Sequence, residues 1–357
     1  MLARMRRGRG VTREPFLAWL SALSFCAAAL ATAALGAVGC GKPAPKAPPQ
    51  TPVAPAQPAP APGAVLPFAP VPPILVRGVG FESPESVLYD EMGDVYLVSN
   101  VNGGLADADG NGFISRLGPD GTVLNLKWID GKASGVVLDA PKGMALVGDK
   151  LYVADINVLR SFDRKSGLPL GKVAIVSATF LNDVSAGPSG TLYVSDTGFG
   201  KIQGLADVQK TGSDAIYTVD PRGVAAVLVK GTELGQPNGL LADNEGVWVV
   251  NLAGQLSRVT VQGQRHVVAS LPGTGLDGLA LLDGGRLVVS SWETSTVYIS
   301  KAPPAPAGTF DAFIADLNSP ADVGYDPKRR QLLVPLFKEN AVYIQQVPAA
   351  EGWESAS

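Results

Sequence analysis

The chain has 357 residues, of which only 17% are charged, and it contains 42 glycines and 29 prolines. Low charge with many turn formers and short valine-rich runs suits one large all-β domain and disfavours helical bundles. The formal net charge is −3, and it becomes −7 once residues 1–39, with five arginines and one glutamate, are set aside; no basic patch is left to hold a nucleic acid.

At the N-terminus, Arg4, Arg6, Arg7, Arg9 and Arg13 precede an apolar run from Phe16 to Val38, which ends in Ala37-Val38-Gly39-Cys40. A basic segment, an apolar segment and small residues before a cysteine form the pattern of a lipoprotein signal peptide over 1–39, with Cys40 as the lipidation site. The alternative is an uncleaved membrane anchor, since the run is long enough to span a bilayer. Gly41 offers no inner-membrane retention signal, so the expected location is a bacterial cell envelope, lipid-anchored at the outer membrane. Cys26 lies inside the signal, leaving no disulfide and no cysteine metal site in the exported part. Residues 41–73 hold 13 prolines among small residues, so 40–73 reads as a lipidated tether. At about 3.1 Å per residue it reaches up to roughly 90 Å.

From Ile74 the chain repeats one unit six times: a turn, an anchor residue, a short strand, another turn and a second strand. The first strands begin at Ser83-Pro84-Glu85, Ala140-Pro141-Lys142, Phe180-Leu181-Asn182, Gln236-Pro237-Asn238, Gly275-Leu276-Asp277 and Ser319-Pro320-Ala321. Their second strands include Val95–Ser99, Leu151–Asp155, Leu192–Asp196, Val247–Asn251, Leu287–Ser291 and Leu332–Leu336. The anchors are 57, 40, 56, 39 and 44 residues apart, with room in each unit for two more strands. This predicts a six-bladed β-propeller over 74–347, four antiparallel strands per blade, followed by a tail over 348–357. The sixth unit has only three strands, so the segment from Ile74 is expected to supply its outer strand and close the ring. A β-sandwich leaves the sixfold pattern unexplained.

The first strand of each blade lines the channel, so equivalent anchors should meet at one mouth. Glu85, Lys142, Asn182, Asn238 and Asp277 then form a ring of oxygen donors interrupted by one ammonium. Such a ring suits a hard cation; the bland reading is that these are turn residues capping nearby backbone. Lys142 has several possible roles: repelling a cation, replacing it by pairing with Glu85 and Asp277, pointing outward, or binding an anionic group. Two insertions, 100–112 and 197–213, join second and third strands on the anchor face, where they can wall a pocket. Asp107-Ala108-Asp109-Gly110-Asn111-Gly112 has the start of an EF-hand loop, but Gly118 stands at the twelfth position, so a hairpin turn is the better reading. Trp292 lies in the matching loop of blade five, as an aromatic wall or as packing between blades. The single histidine, His266, falls on an outer strand, which leaves a Ser-His-Asp triad without its base.

The motifs Ser83-Pro84-Glu85, Leu181-Asn182-Asp183-Val184, Pro237-Asn238-Gly239-Leu240 and Leu276-Asp277-Gly278-Leu279 resemble, in order, those of the gluconolactonase/regucalcin (senescence-marker-protein) family. The resemblance implies Glu85, Asn182, Asn238 and Asp277 as metal ligands, Ca²⁺ first, with Mg²⁺, Mn²⁺ or Zn²⁺ as alternatives. It implies a lactone- or ester-hydrolysing enzyme with Asn182 near the substrate, where Asp277 can double as the general base; Lys142, Phe180 and Trp292 are further substrate-binding candidates from their places in the chain. That family commonly has an arginine where this chain has Phe180, so the expected substrate is more apolar than a sugar lactone. The second expectation, from a different class, is a non-catalytic, monomeric propeller that binds a protein or cell-envelope ligand.

Overall fold

A computed structural model describes residues 71–202, 208–301 and 309–348. The signal peptide, Cys40, nearly all of the tether and the tail after residue 348 lie outside the described residues.

The described chain forms six four-stranded antiparallel sheets and one two-stranded hairpin, with no helix longer than a single 3₁₀ turn. Five sheets are built from consecutive segments. Their inner strands are Pro84–Asp90, Pro141–Val147, Leu181–Ala186, Pro237–Asp243 and Leu276–Leu281. The sixth sheet combines Gly324–Asp326, Gln331–Leu336 and Ala341–Gln346 with Ile74–Arg77 from the start of the domain. Ile74 faces Ile344 and Arg77 faces Ala341, so the ring closes as the three-strand sixth unit predicted. The paired edge joins both ends of the domain in one ladder.

Burial follows position in the blade. Second strands such as Val95–Asn100 and Leu192–Asp196 are buried throughout, because both faces meet a neighbouring blade. Outer strands such as Pro169–Ala174 are largely exposed. The apolar core is accordingly divided into clusters between adjacent blades. Leu97, Ile114, Met144 and Val153 pack blade one on two; Val98, Leu117, Leu333 and Val342 pack six on one. Each blade is thus half a core, and only the closed ring completes all six.

In the first five inner strands the ladder breaks at the anchor, with a register shift between Pro84 and Ser86, Pro141 and Met144, Leu181 and Val184, Pro237 and Leu240, and Leu276 and Leu279. Such a bulge frees a residue from pairing and re-aims its side chain. Three of the following residues are glycine because the next blade passes against them. A Cβ on Gly239 would lie 2.1 Å from the Asp277 carbonyl oxygen, and one on Gly278 would lie 2.2 Å from the Val323 nitrogen.

Candidate functional site

Five anchors meet as the repeat predicted. Glu85, Lys142, Asn182, Asn238 and Asp277 line one cavity of about 280 Å³, together with Leu105, Phe180, Phe199, Val208, Leu252, Gly275, Trp292 and Lys338. Leu105 comes from the blade-one insertion, Phe199 and Val208 from the blade-three insertion, whose hairpin pairs Phe199–Ile202 with Val208–Lys210. The sixth anchor, Ala321, is not in this wall and packs instead with Val101, Ala140 and Phe337.

The anchors are buried, and their oxygens are under-used. Asn238 donates its amide to the Leu276 carbonyl at 3.2 Å, and Asn182 donates to the Thr197 hydroxyl at 3.0 Å. Thr197 in turn donates to the Pro237 carbonyl at 2.9 Å, which links blades three and four. Glu85 Oε2, Asn238 Oδ1 and Asp277 Oδ1 are buried without a hydrogen-bond partner among the described residues. Three orphaned acceptors around one small cavity carry a free-energy penalty that a bound donor or cation would remove.

Electrostatics agree. Burial, then the charges of Asp277 and Asp322, push the Glu85 carboxyl well above the usual range, with Lys142 pulling against them. Burial pushes Asp277 up to about 7, helped by the charge of Asp183 and opposed by the side chains of Trp292 and Asn238. Burial holds both carboxyls towards the neutral form, as it does the nearby Asp183 and Asp322, and a bound cation would favour the charged form. The donor set is two carboxylates and two amides; among the described residues no three His, Cys, Asp or Glu side chains cluster at ligating spacing. Hard oxygen donors of this kind fit Ca²⁺ or a similar ion.

Lys142 does not replace a cation by pairing with the anchors. Its ammonium donates to the Ala140 carbonyl at 2.9 Å and sits 4.4 Å above the centre of the Phe180 ring. No carboxylate lies within ion-pair distance of it among the described residues. Phe180 is buried against Phe199, with ring centres 5.3 Å apart. Trp292 both lines the cavity and packs on Phe337 with ring centres 5.0 Å apart, and its indole nitrogen, buried without a hydrogen bond of good geometry, acts on the Asp277 carboxyl. His266 is exposed on the outer strand Arg265–Ser270. The Asp107–Gly112 segment is a loop in which Asp109 binds Asn111 at 2.6 Å, so its acid is turned on its own turn.

Some site residues escaped the sequence reading. Asp155 accepts the Ala140 amide at 2.7 Å, fixing the carbonyl that holds Lys142. Asp196 accepts the Phe180 amide at 3.0 Å, fixing that ring. Asn251 donates to the Leu234 carbonyl at 2.7 Å, and Asn100 accepts the Glu82 amide at 3.1 Å. These four occupy the last position of their second strands, a repeated Asp/Asn that was visible in the sequence. Lys338, Leu105 and Leu252 carry no such signal.

A larger cavity of about 530 Å³ opens along the inner strands beyond the anchors, and its lining includes Ser86, Asp183, Asp283 and Asp322. Two of its acids are engaged in holding blades together: Asp183 accepts the Val184 and Leu240 amides, each at 2.6 Å, and Asp322 accepts the Ser86 hydroxyl at 2.6 Å, while Asp283 is exposed. The smaller cavity holds the unfilled chemistry.

No family model and no curated protein sequence matches the chain. Solved structures do. A gluconolactonase from Xanthomonas campestris aligns with a TM-score of 0.58 at 17% identity, over 77% of this chain and 90% of that one. A putative gluconolactonase aligns at 0.57 and 17%, over 78% and 93%. Virginiamycin B lyase from Staphylococcus aureus aligns at 0.53 and 12%, over 78% and 100%. At these identities the likeness establishes the six-bladed fold alone, and that fold carries more than one chemistry.

Proposed function

We propose that the chain is a hydrolase of lactones or related esters, using a divalent cation held by Glu85, Asn238 and Asp277, with Asn182 as a further oxygen, direct or through water. The observation that carries this reading is the convergence of three buried, unpartnered oxygens on one cavity with apolar walls. The gluconolactonase neighbours support it at the level of fold. Ca²⁺ suits the all-oxygen donor set best.

When bound, the ion polarises the ester carbonyl and makes water more acidic. The protein's own part is proton handling and placement. Asp277, as a carboxylate beside the ion, would take a proton from the attacking water and return it to the leaving alkoxide. The products are a carboxylic acid and an alcohol, joined in one molecule when the substrate is a lactone. Phe180, Phe199, Leu105 and Leu252 exclude water from the rest of the pocket and favour an apolar acyl body.

Calorimetric titration of the purified chain with CaCl₂ tests the reading beside Asp277→Ala and Asn238→Ala. Binding by the wild type with loss in both variants supports it, and an absence of divalent-ion binding in the wild type sinks it. In a panel of alkyl and sugar lactones, turnover confined to the sugar lactones would contradict the apolar wall. The chain is further proposed to be exported and held at the bacterial envelope by lipid on Cys40. Labelled palmitate should enter the wild type and not Cys40→Ser; equal labelling overturns this.

A further inference from the structure

The cavity wall carries the acceptors Glu85, Asn238 and Asp277 and, among them, a donor that the protein answers only in part. Lys142 is fully buried, yet its ammonium spends one of three donors, on the Ala140 carbonyl. The Trp292 indole nitrogen makes no hydrogen bond of good geometry and acts on the Asp277 carboxyl, so it belongs with the acceptors. At the rim, the exposed Lys338 places its ammonium 5.8 Å from the centre of the Trp292 ring. The rest of the wall includes the apolar side chains of Leu105, Phe180, Phe199 and Leu252.

A buried ammonium without a counter-ion is costly, and cation–π contact with Phe180 offsets only part of that cost. Two acids exert a field on Lys142, Glu85 and Asp155. Asp155 is already taken by Arg160 and by the Asp139 and Ala140 amides. A divalent ion held by Glu85 and Asp277 takes up the charge of both. In the loaded site, therefore, Lys142 has no anion left to face among the described residues, and neither has Lys338, which forms no ion pair there.

We propose that the substrate is a lactone or ester with an apolar body and a carboxylate, and that Lys142 selects for that carboxylate, assisted by Lys338 at the rim. This deepens the hydrolase reading and rests on it. The carboxylate sits with the Lys142 ammonium beside Phe180, the ester carbonyl is directed to Glu85, Asn238 and Asp277, and an aryl or alkyl body packs on the apolar wall.

The test uses 4-phenylbutyrate and its uncharged amide, 4-phenylbutyramide, as non-hydrolysable probes, titrated into the full chain by calorimetry in saturating CaCl₂. The wild type should bind the acid at least about tenfold tighter than the amide, since a charge-assisted contact in a dry site is at stake. Lys142→Met, close in length and without charge, should bind both probes alike, and Lys338→Met should lose only a small part of the preference. Thermal midpoints establish that both variants fold, and the wild-type comparison of acid with amide stands without them. Equal binding of the two probes by the wild type overturns the proposal, as does a preference retained in Lys142→Met. The CaCl₂ titration separates the failures: Ca²⁺ binding without carboxylate preference removes only the substrate assignment, whereas no Ca²⁺ binding removes the hydrolase reading and this one with it.

Discussion

Two rings of polar residues lie one position apart along the inner strands, and they do opposite things. At the anchor level, Glu85, Asn238 and Asp277 each leave a buried oxygen unfilled. One residue further on, Asp183 fills both its oxygens with amides from its own and the neighbouring blade, and Asp322 accepts from Ser86. Ser290 does similar work, accepting the Gly278 amide at 2.7 Å and donating to the Ala321 carbonyl at 2.7 Å. Residue type does not separate the two levels, because carboxylates occur in both. Satisfaction separates them. A satisfied buried acid stabilises the ring, whereas an unsatisfied one is costly until a ligand arrives, and that is the signature of a site.

The largest expected effect comes from removing an unfilled acid. Asp277→Asn should abolish Ca²⁺ binding and reduce lactone turnover by about a thousandfold or more, as loss of a base and a ligand together would. The same change should leave the thermal midpoint level or raised, since it discharges an unpaired buried acid. Asp183→Ala should do the reverse. It strands the Val184 and Leu240 amides and should cost about 2–6 kcal/mol in denaturant unfolding, at roughly 1–3 kcal/mol per stranded group. If Asp183→Ala were as stable as the wild type, the contrast between the rings would collapse.

A pH experiment sharpens the comparison. Asp277 and Asp183 both hold their protons up to about 7 in the folded chain, chiefly through burial. The unfolded chain releases them near the ordinary carboxylate value, so between these limits it binds fewer protons than the folded one. Stability of the metal-free protein should therefore fall as pH rises from about 4 to about 7 and level off above that. Added CaCl₂ should restore more stability at pH 8 than at pH 5, because the ion competes with the proton on Asp277 and not on Asp183. Thermal scans with and without CaCl₂ measure both, and a midpoint shift equal at the two pH values would contradict the assignment. The smallest effect belongs to His266→Gln on the outer strand. It should change stability by less than about 0.5 kcal/mol and leave the pH profile of turnover in place.

The fold was legible because a propeller writes its architecture six times. The anchor turn, the apolar second strand and the three-strand final unit are local patterns, and each survived into the structure, including closure by Ile74–Arg77. The convergence of Glu85, Lys142, Asn182, Asn238 and Asp277 followed from the same repetition, since equivalent positions in a closed ring must face one axis. The walls were less legible. Phe180 is readable by its place beside Asn182, but Leu105, Phe199 and Val208 come from insertions with no counterpart in other blades. Lys338 follows the sixth blade's second strand in a single 3₁₀ turn, Phe337–Glu339, that no repeat announces.

The sequence by itself determined the blade count, the ring of anchors and the exclusion of a histidine triad, because these depend on spacing and residue type. Only the tertiary structure decided which anchor oxygens stay unfilled, that Lys142 turns to Phe180 rather than to Glu85, and that Asp183 and Asp322 belong to the frame. Those outcomes depend on which partner comes within hydrogen-bond distance across neighbouring blades. Asp183 meets Leu240 across 57 residues and Ser86 meets Asp322 across 236. Spacing along the chain carries no record of such pairings until the ring has closed.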